Sequence, residues 1–218
     1  MGQRLRTAAL AALTISLAAG CADAGKGTPA TGTASASAAT STPPGPPWYD
    51  NVAPAAAATK VGASRTPCVL PVIFDLPDRW LAKPVEVTGE WAALTEWGGS
   101  TMRCEIDAKP AGNIGFLRVW TVDDDTVPPR QALEEFLADY GTLTEVQYRD
   151  TKAGSISAIE ASFLRKDELD DEATRGAALM VETPLGAVLL TLGGFDNDEV
   201  EEMMPAYQLA KQTFAVKR

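Results

Sequence analysis

The 218-residue sequence contains no histidine. That absence removes the Ser-His-Asp and Cys-His nucleophile systems as they are usually built. No SxxK string, GxSxG elbow, GxGxxG turn or P-loop is present, so the commoner hydrolase and nucleotide-binding signatures are missing too. Positive charge is also scarce. Nineteen Lys and Arg stand against 29 Asp and Glu, for a net charge of −10. An acidic surface repels phosphate backbones, so nucleic acid is disfavoured as a partner. It gives no attraction to anionic headgroups either, and its simplest role is solubility. No segment has 18 consecutive apolar residues, so no transmembrane helix is expected.

What is present begins at the N-terminus. Arg4 and Arg6 precede an uncharged, mostly apolar stretch, Thr7 to Ala19. Its 13 residues fall short of the ~20 that a membrane span needs. They suit the apolar region of an export signal, with small residues Ala18, Ala19 and Gly20 after it. The string Leu17-Ala18-Ala19-Gly20-Cys21 resembles a bacterial lipobox. The resemblance implies cleavage before Cys21, a diacylglyceryl group on its sulfur, and attachment to the extracytoplasmic face of the cell membrane. Two acyl chains give stable attachment where one gives only marginal binding. Residues 1–20 are therefore expected to be a signal peptide. The competing reading is an ordinary secretory signal with Cys21 a bystander.

Cysteine is sparse, at three residues. With Cys21 lipidated, Cys68 and Cys104 remain and can pair outside the reducing cytoplasm. Closing a loop of about 36 residues would stabilise the fold by roughly 3–4 kcal/mol in the chain-entropy treatment. A free thiol pair is the alternative.

Residues 21–65 read as the lipidated cysteine and a disordered tether rich in Ala, Ser, Thr, Gly and Pro. As a flexible chain it would span on the order of 36 Å. Trp48 and Tyr49 are the exception, and they would pack on the folded domain, touch the membrane interface or meet a partner. Residues 66–218 form one domain's worth of chain, enough for a single core.

Within that domain Leu133, Phe136, Leu137 and Tyr140 recur at i, i+3, i+4 and i+7. They predict a helix from Pro128 to Tyr140, with Gly141 at its C′ position. Val200, Met203, Met204, Tyr207, Ala210 and Phe214 predict a second helix, opened by Asp196-Asn197-Asp198. Pro205 should kink or split it. A weaker helix is expected over Glu90 to Trp97. Strands are expected over 69–75, 102–107, 114–122, 146–150, 155–164, 177–183 and 187–192, the last two joined through Pro184-Leu185-Gly186 as a hairpin. Short connections favour an antiparallel sheet covered by helices, an α+β fold.

Phe74-Asp75-Leu76-Pro77-Asp78-Arg79-Trp80 resembles the strand and turn that open Mog1/PsbP-like domains. The later order of helix, strands, hairpin and terminal helix is similar as well. In outline the chain is similar to actinobacterial exported lipoproteins of the LpqN/LpqT group. The resemblance implies an α/β/α sandwich and a non-enzymatic binding or accessory role, and it carries over no catalytic residue. The two distal cysteines and Ala108 to Gly115 lie outside that general pattern.

Three kinds of cluster remain as sites. Asp123-Asp124-Asp125 reads as a solvated turn, and Asp167 to Glu172 as an exposed acidic loop or a short helical turn. Asp196-Asn197-Asp198-Glu199 alternates oxygen ligands as calcium loops do, yet lacks their glycine and distal glutamate, and helix capping explains it. No metal or cofactor is expected. Among the tryptophans, Trp80 reads as core, whereas Trp91 and Trp97, beside Gly98-Gly99, are the candidates for a ligand platform. The Gly/Pro-rich stretch Lys109 to Gly115 is either a plain turn or a place where a partner meets the backbone. Two functions follow: a tethered accessory module facing an envelope protein or the cell wall, or a solute- or carbohydrate-binding lipoprotein using Trp91 and Trp97.

Overall fold

A computed structural model describes residues 45–86, 94–166 and 172–217. Its centre is an antiparallel sheet of eight strands. These are β3 (Leu81–Pro84), β4 (Glu96–Trp97), β5 (Ser100–Asp107), β6 (Gly115–Val122), β7 (Thr142–Ala153), β8 (Ile156–Lys166), β9 (Thr174–Thr183) and β10 (Gly186–Gly194). The order is β3-β5-β6-β10-β9-β8-β7, with β4 folded onto β5. A small second sheet joins β1 (Thr59–Val61), β2 (Val72–Leu76) and β11 (Ala215–Val216).

The central strands β9 and β10 read AALMV and AVLLTL because both faces of the sheet are covered. Alternation then sends neighbours to opposite sides. Leu179, Val181, Val188, Leu190 and Leu192 pack with α2 (Asn197–Thr213). Ala178, Met180, Ala187 and Leu189 pack with α1 (Pro129–Asp139). The expected α+β layering is present, a sheet between two helices. Helix α1 buries Ala132, Leu133, Phe136 and Leu137, and Gly141 follows its cap at φ +131°. Cys68 and Cys104 are joined in a disulfide, with Cα atoms 5.8 Å apart.

Four expectations need correction. First, the boundary at residue 65 is too late, because residues 45–65 are a structured strap on the α2 side. Tyr49 is buried, Ala55 N donates to Pro205 O at 2.8 Å, and β1 pairs with β2. A stretch this poor in large side chains orders through backbone pairing and a few anchors, which composition does not register. Second, Pro205 does not split α2 into two short helices, because Asn197–Thr213 is one helix with Pro205 inside it. Third, Glu96 and Trp97 form a strand rather than the end of a helix, because they turn back through Gly98-Gly99 to pair with Thr101 and Ser100. Trp91 and the rest of that expected helix up to residue 93 lie outside the described residues. Fourth, Val69 is exposed and the opening strand begins at Val72, while β7 extends well beyond residues 146–150.

Candidate functional site

Two places gather polar or aromatic side chains, one on each face of the sheet. On the α2 face lies a buried charge cluster. Glu160 sits on β8 in the run Ile156, Ala158, Glu160, Ser162, on the face that α2 covers, and is only 1% exposed. Its Oε2 accepts from Lys211 Nζ and Arg149 Nε, both at 2.7 Å, and its Oε1 accepts from Tyr207 Oη at 2.9 Å. Arg149 also donates to Asp50 of the strap at 2.6 Å and lies 4.3 Å from the ring centre of Trp48.

Two carboxylates and two cations balance there. Arg149 hydrogen-bonding holds the Asp50 carboxyl below its ordinary range. Burial, reinforced by Glu160, pushes the Tyr207 hydroxyl well up. Tyr49 adopts φ +54°, a conformation tyrosine rarely takes. Gln208 Nε2 clamps its carbonyl at 3.1 Å and its hydroxyl donates to Glu201 at 3.1 Å. Burial and Glu201 raise the Tyr49 pKa to about 12. With the Glu160 oxygens engaged and the charges balanced, this cluster works as a clasp for the strap.

The α1 face is different. Helix α1 covers only part of the sheet, over Trp120, Phe163, Met180 and Leu189. Toward the start of β6 and the end of β10 the sheet is bare, and a cleft of about 430 Å³ opens. Strand alternation places its floor: Phe116 and Arg118 on β6, and Gly193 on β10, point the same way as Trp120. The apolar walls are Leu94, Trp97, Met102 and Phe116, with Ile114 and Phe195 at the mouth. Its charged groups are Glu105, Arg118 and Arg165. Arg118 Nε donates to Glu105 at 3.0 Å, and its guanidinium lies 4.5 Å from the Phe116 ring centre.

The mouth is built by hydrogen bonds. Phe195 N donates to Ile114 O at 2.9 Å, and Ile114 N donates to Glu199 Oε2 at 2.8 Å. Asn113 Nδ2 reaches Glu202 at 2.8 Å. The Lys109 to Gly115 stretch is thus a turn, with a short 3₁₀ segment over Lys109–Ala111, pinned to the first turns of α2. Exposed Ile114 and Phe195 are held side by side by it.

Of the tryptophans singled out from sequence, Trp97 does line the cleft. Rather than standing free, it stacks on Trp120 at 5.2 Å and meets Tyr140 edge-on at 5.0 Å. Trp91 and Cys21 lie outside the described residues. Trp80 is buried as expected. The Asp196 carboxylate accepts from Glu199 N, and Asn197 bonds Arg175 N and Ala173 O, so these two side chains serve the helix entrance. Asp124 forms the expected turn with Thr126, whose hydrogen bonds lower its pKa. Phe195, Arg118 and Gly193 carried no expectation from the sequence, and Ile114 only as part of the Lys109 to Gly115 stretch. A weak signal was present in Phe116-Leu117-Arg118-Val119-Trp120, where an arginine interrupts the alternation that ends at a buried tryptophan.

Comparison with known proteins returns three results. No curated protein matches. Among solved structures, LpqN of Mycobacterium tuberculosis, involved in cell envelope biogenesis, is similar at 16% identity and TM-score 0.42, over 71% of this chain and 88% of that one. Residues 37–214 match the family described as uncharacterised lipoprotein. That match starts before the strap and ends at Phe214, taking in nearly all of the described residues, and the chain belongs to this lipoprotein family.

Proposed function

We propose that this lipoprotein is a non-enzymatic binding module, held on the extracytoplasmic face of the cell membrane through acylated Cys21, and that it engages its partner through the cleft on the α1 face. The carrying observation is where the exposed apolar side chains fall. Seven large hydrophobics stand exposed among the described residues, and three of them, Leu94, Ile114 and Phe195, border this one cleft. Hollows of about 270 and 320 Å³ flank α1 as well, but only Val146 of the seven borders either. Concave, mostly apolar sites with a few oriented polar groups are what small-ligand and peptide sites look like.

A binding role without catalysis is supported by the missing histidine and by the way the buried carboxylate Glu160 is fully engaged in the clasp. The Mog1/PsbP-like reading of Phe74 to Trp80 supports the same role. A solute- or carbohydrate-binding version of it is favoured by Trp97, which offers an indole wall to the cleft.

Thermal-shift measurements against sugars, lipids and cell-wall fragments test the proposal, using Ile114→Asp and Phe195→Asp as controls. Both positions are more than half exposed (55% and 65%), so these changes should alter stability by no more than about 0.5 kcal/mol. Stabilisation by a component that both variants abolish supports the cleft. A ligand that binds equally well to both variants would retire it.

A further inference from the structure

The α1 face of the sheet is wider than its helix. In the order β3-β5-β6-β10-β9-β8-β7 the strands span roughly 29 Å, at about 4.8 Å per neighbour. A helix with its side chains is only about 10–12 Å across. Among the described residues α1 is the only helix on that face, and its 11 residues run about 16 Å. The cleft opens where α1 stops, with Phe116 on its floor and Leu94, Ile114 and Phe195 exposed around it. A second amphipathic helix laid beside α1 would complete such a layer.

The charges around the cleft decide what that helix carries. Inside, Arg118 is paired with Glu105 at 3.0 Å, and the Arg165 guanidinium lies 5.6 Å from the Tyr140 ring centre. The floor therefore selects no anion. At the mouth the carboxylates are held by neutral donors instead. Glu199 accepts from Ile114 N and Glu202 from Asn113 Nδ2, each at 2.8 Å, and Asp196 accepts from Glu199 N. Such bonds fix the side chains without cancelling their charge. Exposed Asp198 adjoins them, and none of the four makes an ion pair among the described residues. Lys109, on the turn that carries Asn113, opposes one of these charges, and the α2 N-terminus offsets about half of another. Negative charge is thus in surplus beside two exposed apolar side chains. A second copy of this chain, net charge −10, would bring like charge to like, and anionic lipid meets the same repulsion.

We propose that the cleft seats a basic amphipathic helix of an envelope protein. Its apolar stripe lies against Ile114, Phe195 and the Phe116 floor, and its Lys or Arg side chains face Asp196, Asp198, Glu199 and Glu202. The proposal rests on the cleft being the binding surface.

The test uses the full-length chain and a fluorescein-labelled peptide of about 18 residues, with Leu and Lys spaced so that one helical face is apolar and the other basic. Binding is read by anisotropy. Asp198→Asn with Glu202→Gln removes two charges at the mouth. Asp150→Asn with Glu182→Gln removes two exposed charges beside the hollow at Pro129, outside the cleft. Both double variants should keep the wild-type thermal midpoint. The mouth pair should bind the peptide roughly fivefold more weakly than the wild type, and the distant pair no more than about twofold more weakly. Raising salt from about 0.15 M to 0.5 M should weaken wild-type binding and narrow the gap. Ile114→Asp adds a carboxylate but removes an apolar contact, and it should weaken binding at least about tenfold.

No binding to the wild type, equal losses in the two double variants, or equal binding of an uncharged Leu/Ser peptide would overturn the proposal. If a thermal-shift ligand is lost in Ile114→Asp and Phe195→Asp while peptide binding ignores the mouth pair, the cleft reading stands and the basic helix falls.

Discussion

Replacing Glu160 with glutamine tests whether the strap is held by the buried clasp. The carboxylate is 1% exposed and satisfies Lys211, Arg149 and Tyr207 at once. Glutamine keeps the shape but leaves buried Lys211 and partly buried Arg149 with one carboxylate, Asp50, between them. Breaking a buried pair by removing one partner costs about 3–5 kcal/mol. Because Arg149 retains Asp50, the lower end, about 3 kcal/mol, is expected. With a urea slope of about 2 kcal/mol/M, the unfolding midpoint should fall by roughly 1.5 M. Tryptophan fluorescence is a suitable readout, and limited proteolysis should show earlier cleavage within residues 45–58. Adding Lys211→Met restores the charge balance, so the double variant should recover at least about 1 kcal/mol relative to additivity. A Glu160→Gln loss below about 1 kcal/mol, with additive double-variant behaviour, would mean the cluster is solvated and the clasp argument is wrong.

Other expectations follow from the same geometry. The Tyr49 pKa is raised to about 12 in the folded state, so its contribution is intact below its ordinary value near 10 and is lost as pH rises from there through 12. Alkaline unfolding followed by circular dichroism should show this, and Tyr49→Phe should blunt it. The Asp50 pKa is lowered instead, so its contribution is present above the ordinary carboxylate value of about 4 and fades as pH falls below it. Asp50→Asn should flatten the acid limb of a stability profile. Reduction of Cys68–Cys104 should cost roughly 3–4 kcal/mol in urea unfolding, and because both sulfurs belong to buried residues, it should be slow without denaturant. Gly193→Ala should stabilise the chain by about 0.5–1 kcal/mol, the cost of glycine in a strand, which differential calorimetry can read.

Local periodicity made much of this fold legible. The stripe ending at Tyr140, the Pro184-Leu185-Gly186 hairpin and the Asp196 cap all appear where residue spacing places them. Of the strap only the packing of Tyr49 on the folded domain was legible, as one of three readings of Trp48 and Tyr49, because the rest of its order comes from backbone pairing with β2. Glu160 stood in plain view in an apolar alternation, and a charge on a covered face is itself the signal of a buried network. The cleft was the hardest to see. Its mouth joins Ile114 to Phe195, 81 positions apart, through one backbone hydrogen bond. Its floor sets Phe116 and Arg118 of β6 beside Gly193 of β10, a pairing that local spacing does not give.

The most direct test of the cleft as the binding surface places a photo-crosslinking benzoylphenylalanine at Phe195 in the full-length chain in its native membrane. A control at Leu185, equally exposed (64%) but outside the cleft, sets the background. The account predicts a discrete adduct with an envelope component from position 195 that is absent from position 185 and lost on adding Ile114→Asp. Equal labelling from the two positions, or none from 195, would contradict it.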